Sequence, residues 1–587
     1  MYEKGKEVPF KPDPLEEKRI RSKLTAVAQG REKGELVFRG GQVLNVFTEE
    51  LLKGDVVVSG GRIACVTADS KPHIGEATSV LDVTGLTLTP GLIDPHVHIE
   101  SSALTPTRFA ETIVPHGVTT IFFDPHEIAN VEGLSGVRWM ADELKDTPIK
   151  GFLTVPSCVP ASAPRLETTG ETFGLEEIKE ALAWPGTAAL GEMMNFPGLL
   201  QGDEETLEKI LETRKASLPV EGHGSGLSGD RLRAYAAAGI ESDHEAVSKS
   251  EATERARAGM WTYAREGSAW ADLSEVIKAL TEEDLPPHRF CLATDDREAA
   301  DLLEEGSIDQ AVRKAIEGGL SPARAVRLAT LNPAIRFRIE DRLGSLGPGR
   351  FADLVLVSDL EEFKIEGVFI DGQRWEEYDW RIPGEEGPRK TVNLPGRVEP
   401  EDLIPRGRET SFALGLHAGT ILTDKEEIEG ELEATELPPD FLACAVLERH
   451  KGTGNIGRGL LHGFGLEGGA VASSVAHDSH NLIVAGKDYG DMALAVNRLA
   501  KIGGGQILVS DGEIRAEVRL PVGGLMSPLP GKEVAEEIED LKRELKELGT
   551  KLEQPLMILS SLALPVIPAL RITDKGLVDV EKFELLS

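Results

Sequence analysis

The sequence predicts an α/β protein: a (β/α)8 barrel carrying a split small β-domain and an additional C-terminal α+β domain. Three observations carry this expectation. The chain has 587 residues, several times the ~100–200 of an ordinary domain. From residue 90 to about 333, short apolar runs ending in polar or acidic residues alternate with helical patterns at intervals of roughly 30 residues, the rhythm of a parallel sheet built from βα units. Short β-like sets of similar character lie on both sides of that region.

Taken in order, residues 1–35 are highly charged and predict a helical extension, with an amphipathic helix over 14–30. In residues 36–89, the first part of the small β-domain, the runs Leu36-Val37-Phe38, Gln42-Val43-Leu44, Asp55-Val56-Val57-Val58 and Arg62-Ile63-Ala64 are punctuated by Gly40-Gly41 and Gly60-Gly61, as in a meander. Residues 90–335 form the barrel, with candidate strands at 88–93, 118–123, 150–155, 188–190, 218–220, 239–242, 259–262 and 290–293. Eight strands over about 245 residues match the ~250 typical of this barrel. An open doubly wound sheet would carry a glycine fingerprint after an early strand, and none is convincing.

Residues 336–395 return to the small domain through the runs 352–357 and 367–370, with Asp371-Gly372 as a hairpin turn, and are expected to pair with its first part. A Pro-rich, charged connector starts at Pro383-Gly384 and runs to about residue 405. The last domain, 396–587, shows strand-like runs at 411–416, 441–447, 506–510 and 514–520. It also has one charged helix at 533–548 that turns Ile538, Leu541, Leu545 and Leu548 inward. The apolar stretch 557–572 is too short and too interrupted to span a bilayer and reads as buried strand and loop.

Composition narrows the function. Asp and Glu number 99 against 64 Lys and Arg, a formal charge of -35, which repels phosphate backbones and anionic membranes. No nucleic-acid or membrane partner is therefore expected. The four cysteines, Cys65, Cys158, Cys291 and Cys444, are far apart with no C-x-x-C, so neither a disulfide framework nor a zinc knuckle is encoded. The first residues lack an apolar signal segment, and a cytoplasmic protein is expected.

The strongest local pattern is Pro90-Gly91-Leu92-Ile93-Asp94-Pro95-His96-Val97-His98-Ile99-Glu100. His96 and His98 stand at i and i+2, so on a strand both imidazoles point to one side and reach one metal ion at the C-terminal mouth of a barrel. Glu192, His223, His244 and Asp295 follow other predicted strands, whose C-terminal ends converge on the same rim. Each has an ordinary reading alone: Glu192 as a solvated acid, His223 and His244 as loop residues, Asp295 with Asp296 as a helix N-cap. Together on one rim they point to a metal centre, and mixed imidazole and carboxylate donors suit Mn, Fe or Zn rather than Mg or Ca.

This order of ligands, enclosed by a split β-domain, resembles the amidohydrolase superfamily of metal-dependent hydrolase barrels. More narrowly, the chain resembles the bacterial adenine deaminase family. The matching stretches run from Pro90 through Ser102, then Asp124-Pro125-His126-Glu127-Ile128-Ala129-Asn130, Gly191-Glu192-Met193-Met194-Asn195-Phe196-Pro197-Gly198 and Ser242-Asp243-His244-Glu245. In the third domain they are Ala472-Ser473-Ser474-Val475-Ala476-His477-Asp478-Ser479-His480-Asn481, Gly523-Gly524-Leu525-Met526-Ser527 and Ala563-Leu564-Pro565-Val566-Ile567-Pro568. The likeness extends from about Gly34 onward. It departs at Gly222-His223-Gly224-Ser225-Gly226, where the family pattern is Gly-His-Ala-Pro-Gly.

The resemblance implies hydrolysis of adenine to hypoxanthine and ammonia at a binuclear Mn2+ or Fe2+ site, with Zn2+ also compatible. His96, His98 and Asp295 would hold one ion and His223 and His244 the other, with Glu192 bridging where many relatives use a carboxylated lysine. Asp295, touching metal and water, is the expected proton shuttle. Glu245 is the expected proton donor to the ring if a dry site raises its pKa, and a helix cap or ion pair otherwise. His126 and Glu127, at the end of the second strand, are expected either to bind purine edges or to orient a metal ligand. The 477–481 loop is expected to fold over the barrel rim and bring His477 or His480 to the substrate. His116 is expected to be structural, and His73, His288, His417, His450 and His462 have no constellation around them. A homo-oligomer is expected. The alternatives are a cyclic-amide hydrolase of the same barrel class, resembling dihydroorotase or hydantoinase, and a non-catalytic scaffold.

Overall fold

A computed structural model describes residues 14–380, 387, 391–417, 422–428 and 437–586. Eight parallel strands form the barrel: β1 (Leu92–His98), β2 (Val118–Phe123), β3 (Lys150–Val155), β4 (Thr187–Met193), β5 (Val220–Gly222), β6 (Ser242–Asp243), β7 (Trp261–Arg265) and β8 (Phe290–Ala293). One ladder runs from β1 to β5 and another from β6 to β8. Just past β8, Asp295 and Asp296 pair with Val97 and His98 of β1, which joins the two ladders on one side. On the other side the Glu241 amide donates to the Val220 carbonyl at 3.1 Å.

β2, β3 and β8 span the expected residues, whereas the others are displaced toward their C-terminal ends. The expected strand 88–93 is in fact two elements. Thr87–Pro90 belongs to the small domain, where it pairs antiparallel with Leu354–Asp359, and β1 begins at Leu92. Gly91, between them, allows close passage: a Cβ there would lie 2.3 Å from Thr119 Oγ1. β4, β5 and β7 extend into Glu192, Glu221 and Arg265 because the ladder continues past the apolar run. An apolar-run criterion stops at the first polar residue, which in this barrel is where the site begins.

The small domain is two sheets drawn from both sides of the barrel. Residues 62–67, 55–59, 36–39 and 79–82 form one, and 373–374, 364–370, 354–359, 87–90, 42–45 and 50–53 the other. The expected pairing of the two sequence sets is present as Leu354 opposite Pro90 through Val357 opposite Thr87. Phe38 and Phe369 meet edge to face at 4.8 Å in the core. The helix Pro14–Ala28 buries Leu24 and Val27 against Val37, Val57 and Ala64. Residues 1–13 and the first part of the connector, including Pro383-Gly384, lie outside the described residues.

At the N-terminal end of the barrel, Phe122 stacks on Phe337 and Phe152 at 3.6 and 5.1 Å. Buried Lys150, the first residue of β3, reaches Asp353 and Asp371 of the small domain, each at 2.9 Å. Lys150 and Asp353 form a buried ion pair, and the half-buried Asp371 is a second partner of the same ammonium, so the junction is held in register.

The C-terminal domain contains an eight-stranded sheet in the order 423–427, 412–416, 456–462, 441–447, 482–486, 470–473, 505–510, 513–519. Alternation along Phe441–Leu447 buries both faces: Ala443, Ala445 and Leu447 pack toward the helix Tyr489–Ile502, while Leu442, Cys444 and Val446 join the main core. The helix Tyr489–Ile502 was not expected. The charged helix spans Gly531–Glu547 and buries Ile538, Leu541 and Leu545. The stretch 557–572 is not strand and loop throughout: Pro555–Ser561 is helical, with Pro at its first turn, and only Leu570–Thr573 is a strand. Among the described residues no helix is long and apolar enough to cross a membrane.

Removing one partner of a buried ion pair leaves uncompensated charge behind. Lys150→Met is therefore expected to lower unfolding free energy by about 3–5 kcal/mol, read from urea denaturation, with loss of less than about 1 kcal/mol contradicting the role given to this contact.

Candidate metal centre and active site

The six residues expected at the metal site converge at the C-terminal mouth of the barrel. β1 places His96 and His98 on its inner face, β4 brings Glu192, the residue after β5 is His223, the residue after β6 is His244, and Asp295 follows β8. Glu192 lies at the middle. Its Oε1 faces His98 Nε2 at 3.3 Å, and its Oε2 faces His223 Nδ1 at 2.6 Å and His244 Nε2 at 3.3 Å. Asp295 Oδ1 faces His98 Nε2 at 3.1 Å and His96 Nε2 at 3.5 Å. The sets His96–His98–Glu192, Glu192–His223–His244 and His96–His244–Asp295 each bring their ligand atoms within 4.8 Å of one another.

Glu192 is held in place from behind. Its amide donates to Asp124 Oδ2 at 2.9 Å, an approach that needs the preceding residue to be glycine, since a Cβ on Gly191 would lie 2.1 Å from that oxygen. The Asp124 carbonyl also accepts from His98 Nδ1 at 2.9 Å, which leaves His98 Nε2 free to act as a ligand. Asp295 has φ +61°, in the left-handed region that few non-glycine residues occupy.

The donor set fits divalent cations. His96 Nε2 and His244 Nε2 are buried and lack hydrogen-bond partners, although their rings stack at 4.2 Å. Burial and the adjacent His244 ring lower the pKa of His96, so it presents a lone pair rather than a proton. Burial alone would raise Glu192, but His223, His244 and His98 outweigh it and hold its carboxyl well below the usual range. His223 is pushed up to about 10: burial opposes its charge, and the Glu245 and Glu192 carboxylates prevail. Positive charge is thus favoured at the position where two carboxylates meet the imidazoles.

Of the two readings of Glu245, the structure shows the ion pair. Burial does raise its pKa, but Arg265, His223 and His244 overcome that and bring it down to about 2. It pairs with the Arg265 guanidinium. Arg265 also reaches Asp295 Oδ2 at 3.0 Å and Asp272 Oδ2 at 2.9 Å. The sequence assigns no role to Arg265 or to Asp124, which it marks only as part of a matching stretch. Arg265 closes β7, so the strand-end rule that found the other residues applies to it once cations are counted alongside ligands.

His126 and Glu127 open the helix His126–Leu144 rather than ending β2. His126 Nδ1 stands 3.5 Å from Glu192 Oε1. Glu127 points to the third domain, where His477 Nδ1 and His480 Nε2 lie 2.9 and 2.8 Å from its two oxygens. The 477–481 loop packs against the rim of its own barrel and is buried there, with His480 0% exposed. His477 and His480 therefore contact Glu127, one layer out from the six expected ligands. His480 Nδ1 accepts the Ala476 amide at 3.2 Å, so the hydrogen of the neutral ring is on Nε2, the nitrogen nearer Glu127. Burial opposes ionisation of Glu127, yet His477 and His480 hold it well below the usual range. His116 bonds Asp309 at 3.2 Å, a structural role. His450, unassigned from sequence, reaches the Ser479 carbonyl at 2.6 Å.

Family models match this chain in two places, the "Amidohydrolase family" over residues 87–375 and the "Adenine deaminase C-terminal domain" over 420–584. The chain is 41% identical to an adenine deaminase of Moorella thermoacetica, over 98% of both chains. It is 43% identical to that of Paracoccus denitrificans, over 96% of this chain and 97% of the relative.

The chain belongs to the adenine deaminase family.

That membership accounts for a third domain that contributes residues to the barrel rim, and it sets aside the cyclic-amide hydrolase and scaffold alternatives. Within this family member, Glu192→Ala should remain folded but lose bound transition metal, because the remaining imidazoles then face cations with less negative charge between them. Elemental analysis of the purified variant checks this, and metal content equal to the parent would contradict it.

Proposed function

We propose that this adenine deaminase family member hydrolyses adenine to hypoxanthine and ammonia at a binuclear divalent-metal centre of Mn2+ or Fe2+, with Zn2+ also matching the donors. The observation that supports it most is Glu192, whose two oxygens face different sets of imidazoles. His96, His98 and Asp295 would hold one ion, His223 and His244 the other, with Glu192 between them. When bound, such ions lower the pKa of water from 15.7 toward about 7 and so supply the nucleophile at neutral pH.

The chain's own residues do the rest. As the water oxygen bonds to C6, the C6=N1 π pair moves onto N1 and Asp295 Oδ2 takes the released proton. It delivers that proton to the amino nitrogen, and the C6–N bond breaks as the N1 pair re-forms the double bond. Ammonia leaves the 6-hydroxy tautomer, whose O–H proton passes to N1 to give hypoxanthine. Arg265, 3.0 Å from Asp295 Oδ2, keeps the carboxylate oriented, and Glu245 holds the guanidinium in turn. His126 and Glu127 bind the purine, with Glu127 kept as an acceptor for a purine N–H by His477 and His480. The packed third domain keeps water from the reacting centre.

A role in purine salvage or catabolism follows from that reaction. The acidic composition and four free cysteines support a cytoplasmic enzyme, which we place in a homo-oligomer.

Incubation of Mn-loaded protein with adenine should yield hypoxanthine and ammonia in equal amounts. Asp295→Asn should reduce kcat by at least ~10²-fold with metal retained, the low end of a general acid–base contribution; turnover like the parent's would move the base elsewhere. His480→Ala, folded and metal-loaded, should lower kcat/KM for adenine by about tenfold, the equivalent of one lost hydrogen bond to a charged group, and unchanged kinetics would confine the loop to a structural role.

A further inference from the structure

Arg449 is 0% exposed, two residues beyond the strand Phe441–Leu447. Its hydrogen-bond acceptors among the described residues are all uncharged. Nε donates to the His480 carbonyl, Nη1 to the Thr391 carbonyl and Oγ1 at 3.0 and 2.9 Å, and Nη2 to the Gly523 carbonyl at 3.0 Å. Burying a full charge against neutral acceptors is unfavourable compared with an apolar side chain of similar volume. What the guanidinium adds is a rigid planar fork that addresses three chain segments at once.

Those segments meet at Arg449, and two of them also reach Glu127 or its neighbour Ile128. The first is the 477–481 loop, whose His480 faces Glu127 Oε2. Its hold is doubled, because His450 Nε2 donates to the adjacent Ser479 carbonyl at 2.6 Å, so neighbouring residues grip neighbouring carbonyls. Asn481 Oδ1 completes the contact by accepting the Arg449 amide at 3.2 Å. The second is the Gly523-Gly524 turn. A Cβ on Gly523 would lie 2.6 Å from Ile128 Cδ1, next in sequence to Glu127, and one on Gly524 would lie 2.7 Å from Arg449 Nη1. The third is the connector at Thr391, which enters the third domain and whose neighbour Asn393 donates its amide to the Arg449 carbonyl at 2.7 Å.

We propose that Arg449, with His450 beside it, is the positioning residue through which the third domain sets the Glu127 carboxylate in the purine site. It contacts neither metal ligands nor substrate, and it acts by fixing the His480 carbonyl and the turn that packs on Ile128. The inference rests on the reading of Glu127 as a purine-binding group. Lysine at 449 keeps the charge but offers no fork, so one ammonium cannot serve three segments.

The test is a double-mutant cycle of Arg449→Lys with Glu127→Gln, on full-length Mn-loaded protein, with metal content and thermal stability confirmed for each variant. Arg449→Lys should raise KM for adenine about tenfold with kcat changed less than about threefold, and should add little to Glu127→Gln, since the two act on one interaction. Multiplicative losses, with Glu127→Gln itself impaired, would overturn the positioning role and leave the reading of Glu127 intact. Kinetics like the parent's in Glu127→Gln would overturn that reading and the inference with it. His450→Leu removes the neighbouring grip without touching a buried charge. Run through the same cycle it carries the test if Arg449→Lys does not fold: non-additivity supports the proposal and additivity overturns it.

Discussion

Glu192 is the contact on which the site turns. A carboxylate in a dry barrel mouth is unfavourable unless positive charge or hydrogen bonds surround it, and here imidazoles from β1 and from the ends of β5 and β6 converge on its two oxygens. Its position depends on β4 continuing past the apolar run, on Asp124 gripping its amide and on Gly191 leaving room for that grip. Barrel closure serves the same end, since pairing of Asp295 with Val97 brings the last acid beside the first histidines. The fold supplies the alignment, and the balance of charge in a desolvated rim dictates which partners can occupy it.

Around this centre the charges are arranged in layers. Arg265 links Asp295, Glu245 and Asp272, so these three acids share one cation. On the other side Glu127 is answered by imidazoles that arrive from the third domain. That domain covers the rim as well: the Ser527 amide donates to the Ala103 carbonyl at 2.7 Å, and Lys542 pairs with Glu298 at 2.5 Å. The barrel and the third domain thus share one polar interior instead of meeting at a separable interface.

Much of this was legible in the sequence because it is local. The spacing of His96 and His98 needs only a strand to place both on one face, and the βα rhythm placed Glu192, His223, His244 and Asp295 on one rim. What escaped notice depends on tertiary neighbours. Glu245 reads as an acid that a dry site would protonate, and the proximity of Arg265, His223 and His244 reverses the direction of its pKa shift. The grip of Arg449 on the His480 carbonyl involves backbone oxygens, which carry no residue-type signal. Strand ends are hidden for a related reason: the polar residues near the ends of β4, β5 and β7 are buried, Glu192 and Arg265 in the site and Glu221 against Arg336 and Tyr263, so hydrophobicity falls where pairing does not. The helix Tyr489–Ile502 lies in a Gly-flanked, mixed-polarity stretch whose inner face, Met492, Ala495, Val496 and Leu499, is apparent only once the sheet beneath it is known.

The central claim is that Glu192 joins two cations into one reacting centre. The direct measurement is a titration of metal-free protein with Mn2+ while hypoxanthine formation from adenine is followed. Activity should rise in proportion to added metal and level off at about two equivalents per chain, the number for which six ligands, one of them a shared carboxylate, provide. Full activity at one equivalent, or turnover that persists in the metal-free protein, would contradict the account.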